Sequence, residues 1–142
     1  MPSDLLAPQD WGFPVPIAYG PGRLNEIADH CYRIGLSRPL VVTDNGSREL
    51  PFIQQLVGTL QSAGLGGALY ADISPNPREA EIFAGKACFL EGGHDGVIAI
   101  GGGSGMDGGK AISLIANNNM DLVDYDYEKP SPAADDQAFP PL

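Results

Sequence analysis

The sequence predicts an α/β fold in which helices cover both faces of a parallel β-sheet. Short apolar runs alternate with amphipathic stretches between residues 15 and 116, which is typical of strands and helices that take turns along a chain. A glycine-rich segment follows the last apolar run, and sheets of this kind bind ligands at the carboxyl ends of their strands. The chain has 142 residues, a length that suits one domain with an ordinary hydrophobic core.

The first two strand-helix units span residues 15–64. Each begins with a short apolar run, at residues 15–19 and 39–43, and continues into a helix that a glycine is expected to end, Gly35 and Gly64 respectively. The apolar faces of these helices consist of Leu24, Ile27, Ala28 and Cys31 in the first and of Ile53, Leu56, Val57 and Leu60 in the second.

The third unit contains a weaker strand over residues 67–72, followed by a turn rich in proline. We predict that Asn76 caps the next helix, with Pro77 at its first position and Glu79 completing a capping box. The apolar face of this helix is predicted to consist of Ala80, Phe83, Ala84, Ala87 and Cys88.

The fourth unit contains a strand over residues 97–100, the glycine-rich segment and a helix that ends near Ala116. Beyond this point the alternation decays and prolines accumulate. We therefore predict one folded domain over residues 14–128, an N-terminal extension over 1–13 and a proline-rich linker or frayed tail over 129–142.

The composition excludes several classes of function. Eight Lys and Arg residues against eighteen Asp and Glu residues give a net charge of -10, with no basic patch, which argues against binding nucleic acid. No apolar run approaches the ~18 residues that a membrane span requires, and the N-terminus lacks the pattern of a secretory signal. Cys31 and Cys88 are isolated rather than part of a disulfide or zinc framework. We expect a cytoplasmic protein.

The glycine-rich segment, residues 101–110, has the sequence GGGSGMDGGK and is suited to binding a phosphate. Without side chains, the backbone can approach a ligand closely and several N–H groups can converge on an anion. The following helix adds the positive end of its dipole, which contributes roughly 0.3–1 kcal/mol and up to ~2 kcal/mol in a partly buried site. An acidic protein can therefore bind a diphosphate without a cluster of arginines.

Two general phosphate-binding motifs fit this segment poorly. The Walker pattern fails at Ser104, where it needs glycine, and at Ala111, where it needs serine or threonine. The dinucleotide pattern G-x-G-x-x-G matches at Gly103, Gly105 and Gly108, but nineteen glycines make a chance match easy. That match also follows the fourth strand instead of the first.

The segment resembles the GGGS-x-x-D-x-x-K signature of iron-dependent alcohol dehydrogenases. Residues 19–22, 42–44 and 75–77 are also similar to the corresponding parts of that family, and the resemblance covers residues 14–128. Gly109 departs from the alanine that usually precedes the signature lysine, which lowers helix preference by about 1 kcal/mol. The resemblance implies a Rossmann-like nucleotide-binding domain with NAD as its cofactor.

The resemblance also implies which residues bind the cofactor. In the enzymes that this chain resembles, the triple glycine and the serine contact the cofactor diphosphate, and here they correspond to Gly101, Gly102, Gly103 and Ser104. Asp44 matches an acidic residue that can accept hydrogen bonds from the adenosine ribose and repel a 2′-phosphate, which favours NAD over NADP. The other cofactor-binding residues implied by the resemblance are Asn76, Pro77, Asp107 and Lys110.

Each polar residue of this set also has a plainer structural interpretation. Asp44 could form an Asx-turn, and capping alone would explain Asn76. Ser104 and Asp107 have the spacing of a capping box, while Asp107 and Lys110 have that of a helical ion pair. The sequence leaves both interpretations open.

The metal site of the family has no counterpart in these residues. Family members place a threonine- and glycine-rich loop and then a helical domain after the nucleotide-binding domain, and that helical domain supplies an aspartate and three histidines to iron or another divalent metal. His30 and His94 lack the spaced companions of a metal site, so we predict that both are surface residues. We assign no catalytic and no metal-binding residue, and expect weak or undetectable NAD binding and no dehydrogenase activity from these residues alone.

Other functions are also compatible with the sequence. A stand-alone, non-catalytic nucleotide-binding or interaction module is the main alternative. Enzymes of the glycerol dehydrogenase or dehydroquinate synthase type share the architecture, but Ser104, Asp107 and Lys110 in register favour the iron-dependent branch. The full-length enzyme would interconvert a small alcohol and an aldehyde or ketone. The sequence leaves the identity of the alcohol and the oligomeric state open, a homo-oligomer included.

Overall fold

A computed structural model describes residues 6–12, 15–119, 121–126, 128 and 139–142. Within these residues the strands are β1 (Gln9–Gly12), β2 (Pro16–Tyr19), β3 (Pro39–Asp44), β4 (Leu69–Ile73) and β5 (Gly96–Ala99). The α-helices are α1 (Ile27–Arg33), α2 (Pro51–Ser62), α3 (Glu79–Glu91) and α4 (Gly103–Ile115), and two 3-10 helices cover Arg23–Glu26 and Leu122–Tyr125.

The predicted α/β fold is confirmed. Strands β3, β4 and β5 form a parallel sheet in the order β4-β3-β5. Side chains alternate along β3, so that Val41 packs against α1 and α2 while Leu40 and Val42 pack against α3 and α4. Each face of the sheet is therefore covered by its own helical layer, and such burial on both faces explains the continuous apolar composition of β3.

Glycines end the first two α-helices, as predicted. Gly35 and Gly64 have φ values of 78° and 76°, a left-handed conformation that glycine adopts without steric cost. The next residue in each case donates its N–H to a carbonyl five positions back, Leu36 to Cys31 and Leu65 to Leu60, both at 2.9 Å. These bonds satisfy carbonyl groups that the helix end would leave unpaired.

The first predicted unit is wrong in one respect. The apolar run at residues 15–19 does not join the parallel sheet, because β2 pairs in antiparallel fashion with β1. All residues of both strands are exposed, and the rings of Trp11 and Tyr19 stack with their centroids 5.5 Å apart. The partner strand β1 lies in the predicted N-terminal extension, so the run forms an exposed two-stranded sheet instead of a strand of the parallel sheet.

Helix α3 begins later than predicted. Its N-cap residue is Arg78, whose N–H donates to the carboxylate of Glu81 at 2.9 Å. The prediction that Asn76 caps this helix with help from Glu79 is therefore wrong. The Glu81 carboxylate also accepts the hydroxyl of Ser74 at 3.0 Å, which ties the preceding loop to the first turn of the helix.

The buried face of α3 differs in part from the predicted one, although Phe83 and Cys88 pack against the core as predicted. Its buried residues are Ile82, Gly85 and Phe89, while Ala80, Ala84 and Ala87 are exposed. A methyl group at Gly85 would overlap the side chain of Ile112 in α4. Glycine at this position thus allows α3 and α4 to pack closely.

The last described residues, 139–142, lie against β5. The N–H of Val97 donates to the carbonyl oxygen of Pro141 at 2.8 Å, and the hydroxyl of Ser113 donates to that of Pro140 at the same distance. Pro140 is buried. This part of the predicted tail is therefore packed against the domain, while residues 129–138 lie outside the described residues.

Candidate functional site

The loops that leave the parallel strands meet at the carboxyl edge of the sheet. Asp44 ends β3, residues 74–76 follow β4, and the glycine-rich turn follows β5. The N–H of Ile100 donates to Val42 at 3.0 Å, and that of Asn45 donates to Ile73 at 2.9 Å. These bonds fix the points where the chain leaves the sheet, and most of the predicted site residues lie just beyond them.

The first part of the glycine-rich segment, residues 101–105, forms a glycine-rich turn whose main-chain N–H groups are free donors. Within the part of the chain that the structure describes, the amides of residues 101–105 have no hydrogen-bond partner, and the first bond of α4 runs from Met106 to Gly102 at 3.1 Å. The start of a helix normally leaves its first N–H groups unpaired, and its dipole adds partial positive charge there. The turn therefore has the donors and the potential that an anionic ligand requires.

Some glycines of the segment are required by the fold. Gly101 has φ +124°, and a methyl group on it would lie 3.0 Å from the hydroxyl of Thr43 and 3.1 Å from the carboxylate of Asp44. A methyl group on Gly105 would lie 2.9 Å from the carbonyl oxygen of Ile100. Both glycines let the start of α4 pack directly onto the end of β3.

Gly102 and Gly103 are not explained in this way. A Cβ atom at either position would have no heavy atom within 4 Å, and neither residue has a positive φ. Both are exposed. Since neither backbone conformation nor packing demands glycine there, the missing side chains leave open space directly beside the free amides.

Asp44 lies beside this turn, and its carboxylate is held in place. The hydroxyl of Ser47 donates to both carboxylate oxygens, at 3.0 and 2.9 Å. Among the described residues, the hydrogen bonds to this carboxylate come from the Ser47 hydroxyl and none from a backbone N–H, so the Asx-turn considered from the sequence is not observed. The remaining lone pairs of Asp44 stay available to a ligand next to Gly101.

Two neighbours of Asp44 were missed by sequence reasoning. Ser47 carries no sequence signal beyond its place three residues after Asp44 in the turn. Thr43 is fully buried, and among the described residues its hydroxyl oxygen has no hydrogen-bond partner. That hydroxyl lies next to Gly101, so a buried polar group contacts the glycine-rich turn on the side that faces β3.

Ser104 connects the glycine turn to the loop after β4. Its hydroxyl donates to the carbonyl oxygen of Pro75 at 2.6 Å. The N-cap residue of α4 is Gly102, so Ser104 and Asp107 do not form the capping box that the sequence left open as an alternative. The bond holds the loop that contains Asn76 and Pro77, both exposed, beside the start of α4.

Asp107 and Lys110 point to different clefts. Asp107 lines a cleft of about 430 Å³ together with Pro77 and the start of α3. Lys110 lines a cleft of about 270 Å³ together with His30 and the edge strand β5. Both are exposed, and among the described residues no ion pair joins them. The helical ion pair that the sequence left open as an alternative is therefore not formed, and Asp107 and Lys110 face different clefts.

One carboxylate near the site has a shifted pKa. The N–H of Arg78 and the hydroxyl of Ser74 lower the pKa of Glu81, against the effect of its desolvation. Glu81 is therefore an anionic anchor for the loop after β4, and it is engaged by these donors rather than free for proton transfer.

The described residues contain no cluster of three or more His, Cys, Asp or Glu side chains that could hold a metal ion. His94 contacts the carbonyl oxygen of Arg38 at 3.0 Å through Nδ1, and His30 lies 4.0 Å from Glu26. Within the same residues, no helix has the length and apolarity needed to span a bilayer.

The sequence profile of iron-containing alcohol dehydrogenases matches residues 14–141. The chain belongs to this family. It is 36% identical over 104 residues to 4-hydroxybutyrate dehydrogenase of Cupriavidus necator, covering 73% of this chain and 27% of that relative. It is 35% identical over 117 residues to alcohol dehydrogenase 4 of Saccharomyces cerevisiae, covering 81% of this chain and 31% of the yeast protein.

Solved structures agree with this assignment. A 1,3-propanediol oxidoreductase superposes with a TM-score of 0.71 at 31% identity, covering 75% of this chain and 28% of that chain. Sulfoacetaldehyde reductase of Bifidobacterium kashiwanohense, solved in complex with NAD+, superposes with a TM-score of 0.67 at 32% identity and the same coverages. The chain thus spans roughly a third or less of the length of the relatives it matches, and corresponds to their N-terminal part.

Proposed function

We propose that this chain forms the NAD-binding part of an iron-containing alcohol dehydrogenase, with the diphosphate of the dinucleotide bound at residues 101–105. The observation that carries the proposal is the open space at Gly102 and Gly103 beside unpaired amides. Neither packing nor backbone conformation explains these glycines, whereas close approach of a phosphate to the main chain does. The NAD+ complex of the Bifidobacterium kashiwanohense relative supports the choice of ligand.

Asp44 would bind the adenosine ribose of the cofactor and determine the preference for NAD over NADP. Its carboxylate, held by Ser47 beside Gly101, can accept hydrogen bonds from the ribose hydroxyls. The same negative charge would repel a 2′-phosphate, so NAD is favoured over NADP. Ser104 would keep the loop containing Asn76 and Pro77 against the nucleotide site through its bond to Pro75.

In the whole protein, the bound NAD would accept a hydride from an alcohol, or return it to an aldehyde or ketone. The residues described here bind and orient the nucleotide. They do not fit a metal ion, since they hold no cluster of metal-ligating side chains, so no step of the reaction is assigned to iron here. We propose that the whole protein is a soluble cytoplasmic enzyme.

Titration of the 142-residue chain with NAD+ and ADP, followed by NMR of the backbone amides, tests the proposal. A few charge-assisted hydrogen bonds of roughly 1.5–3 kcal/mol each must offset an association cost of about 4–15 kcal/mol, so the measurement must extend to weak affinities. We expect the largest shifts at residues 101–105. Gly102→Val should weaken binding at least about tenfold by obstructing the amides, the loss expected for about one such bond.

Gly58→Ala is the matched control, because Gly58 in α2 also has no heavy atom within 4 Å of its Cβ position but is remote from the turn. Both variants should remain folded, and Gly58→Ala should bind like the original chain. Unchanged affinity in Gly102→Val, or shifts confined to residues away from the turn, would overturn the proposal. Tight, micromolar binding of the nucleotide by this chain would instead favour a stand-alone nucleotide-binding module.

A further inference from the structure

An ion pair at the carboxyl edge of the sheet lies close in sequence to Asp44. Arg48, in the turn between β3 and α2, contacts the carboxylate of Asp72 in β4 at 2.5 Å. Arg48 is four residues after Asp44 in the sequence. It lies on the same loop as Ser47, which donates a hydrogen bond to the Asp44 carboxylate. The pair therefore belongs to the surroundings of the proposed ribose site.

A β-bulge in β4 brings the two side chains together. Val42 pairs with Tyr70, but Asp44 pairs with Ile73, so β4 contains one residue more than β3 over this stretch. Tyr70 and Ile73 both pack into the core beneath α3 and α4, while Asp72 is exposed. An extra residue redirects the side chains around it, and here it places the carboxylate of Asp72 beside the loop after β3.

The charge of Arg48 matters because of what an arginine at this place can bind. In dinucleotide-binding sheets, an arginine near the acidic residue after the second strand accommodates the 2′-phosphate of NADP. In this chain such an arginine is present, but its guanidinium contacts a carboxylate. The carboxylate of Asp72 thereby partly compensates the charge of Arg48 and occupies one side of its guanidinium.

We propose that Asp72 is a second determinant of NAD specificity, which acts by withholding Arg48 from a 2′-phosphate. This inference rests on the proposed function, because it assumes that the adenosine ribose binds beside Asp44. Two carboxylates then act against NADP in different ways. Asp44 repels the phosphate directly, and Asp72 removes the cation that would bind it.

Stability is a poor explanation for this ion pair. The side chains of Arg48 and Asp72 are 46% and 68% exposed, and exposed ion pairs contribute little to the free energy of folding. Replacement of Asp72 by asparagine is therefore expected to leave the fold intact. This separates the effect on cofactor choice from any effect on folding.

The experiment compares the affinities of the 142-residue chain for NAD+ and NADP+, which differ only in the 2′-phosphate. The variants are Asp72→Asn, the double variant Asp72→Asn with Arg48→Gln, and Glu49→Gln. Glu49 is an exposed acid of the same turn, so Glu49→Gln removes one negative charge without releasing Arg48. We expect Asp72→Asn to raise the affinity for NADP+ relative to NAD+ by about two- to fivefold, the range that release of one exposed ion pair allows, and the double variant to lose this gain.

Each result decides between the alternatives. An unchanged ratio in Asp72→Asn, or a gain equal to that of Glu49→Gln, would overturn the inference while NAD+ binding still supports the proposed function. A gain that persists in the double variant would also overturn it, because Arg48 would not be its source. Absence of binding of either nucleotide to the original chain would overturn the proposed function itself.

Discussion

Gly109 of α4 packs directly on Ala99 of β5. A methyl group at position 109 would overlap the Cβ atom of Ala99 and lie 3.2 Å from its Cα. Gly109→Ala should therefore lower the free energy of unfolding by about 1–3 kcal/mol through overpacking, although alanine favours a helix by about 1 kcal/mol. Urea denaturation of both chains measures the difference.

The control for this variant is Ala99→Gly, which removes the methyl group that causes the overlap. We expect the double variant to be more stable than the sum of the two single effects predicts, with a coupling of at least about 1 kcal/mol. Strict additivity would show that the two positions do not compete for space. The pair would then fail to explain why this chain departs from the alanine usual in the family.

Residues with a strong local pattern were predictable from the sequence. The helix α2 has its buried residues Ile53, Leu56 and Leu60 at helical spacing, and β3 is an uninterrupted apolar run. The glycine-rich turn was found from its signature alone. Its location at the carboxyl end of β5 follows from the rule that places ligands at the ends of parallel strands.

Features that depend on contacts between distant segments were not predictable. The overlap at Gly109 requires knowledge of Ala99, and the capping of α4 changes because Ser104 bonds to Pro75, 29 residues away. Part of the buried face of α3 was misassigned because small residues occur all around this helix. The bulge that joins Asp72 to Arg48 leaves no signal in the sequence of β4.

Thr43→Val should stabilise the chain. The hydroxyl of Thr43 is buried without a partner among the described residues, and such a group costs about 1–3 kcal/mol of desolvation. Valine has the same shape without the hydroxyl, so we expect a gain of roughly 0.5–2 kcal/mol in the free energy of unfolding. Thr43→Ser, which keeps the hydroxyl but loses the methyl group, should lower it. A loss of stability in Thr43→Val would reveal a hydrogen bond at this hydroxyl in solution.

Ser104→Ala should loosen the connection between the glycine turn and the loop after β4. It removes the hydrogen bond to Pro75, which contributes about 0.5–1.5 kcal/mol. We also expect weaker binding of NAD+ in the NMR titration, because the loop is no longer held beside the turn. Ser62→Ala, at the exposed end of α2, is the control and should change neither the free energy of unfolding nor the affinity for NAD+ appreciably. Equal behaviour of the two variants would show that the bond to Pro75 has no role.

Asp95 should make stability depend on pH in the acid range. Desolvation acts to raise the pKa of Asp95, but donation from the N–H groups of Ser37 and Arg38, and from the hydroxyl of Ser37, outweighs it and lowers the pKa. Because the folded pKa lies below the unfolded value of about 4, this contribution is complete above that pH and is lost as the pH falls through the folded pKa.

We therefore expect Asp95→Asn to be less stable than the original chain at neutral pH, and the difference to shrink as the pH falls below about 4. Chemical denaturation at a series of pH values measures it. The carboxylate joins the segments that enter β3 and β5, which lie at the amino edge of the sheet, away from the glycine turn. Binding of NAD+ at neutral pH should thus be unchanged. Equal stability of the two chains at neutral pH would show that the amide of asparagine replaces the carboxylate. A difference that does not change with pH would show that the substitution loses another contact.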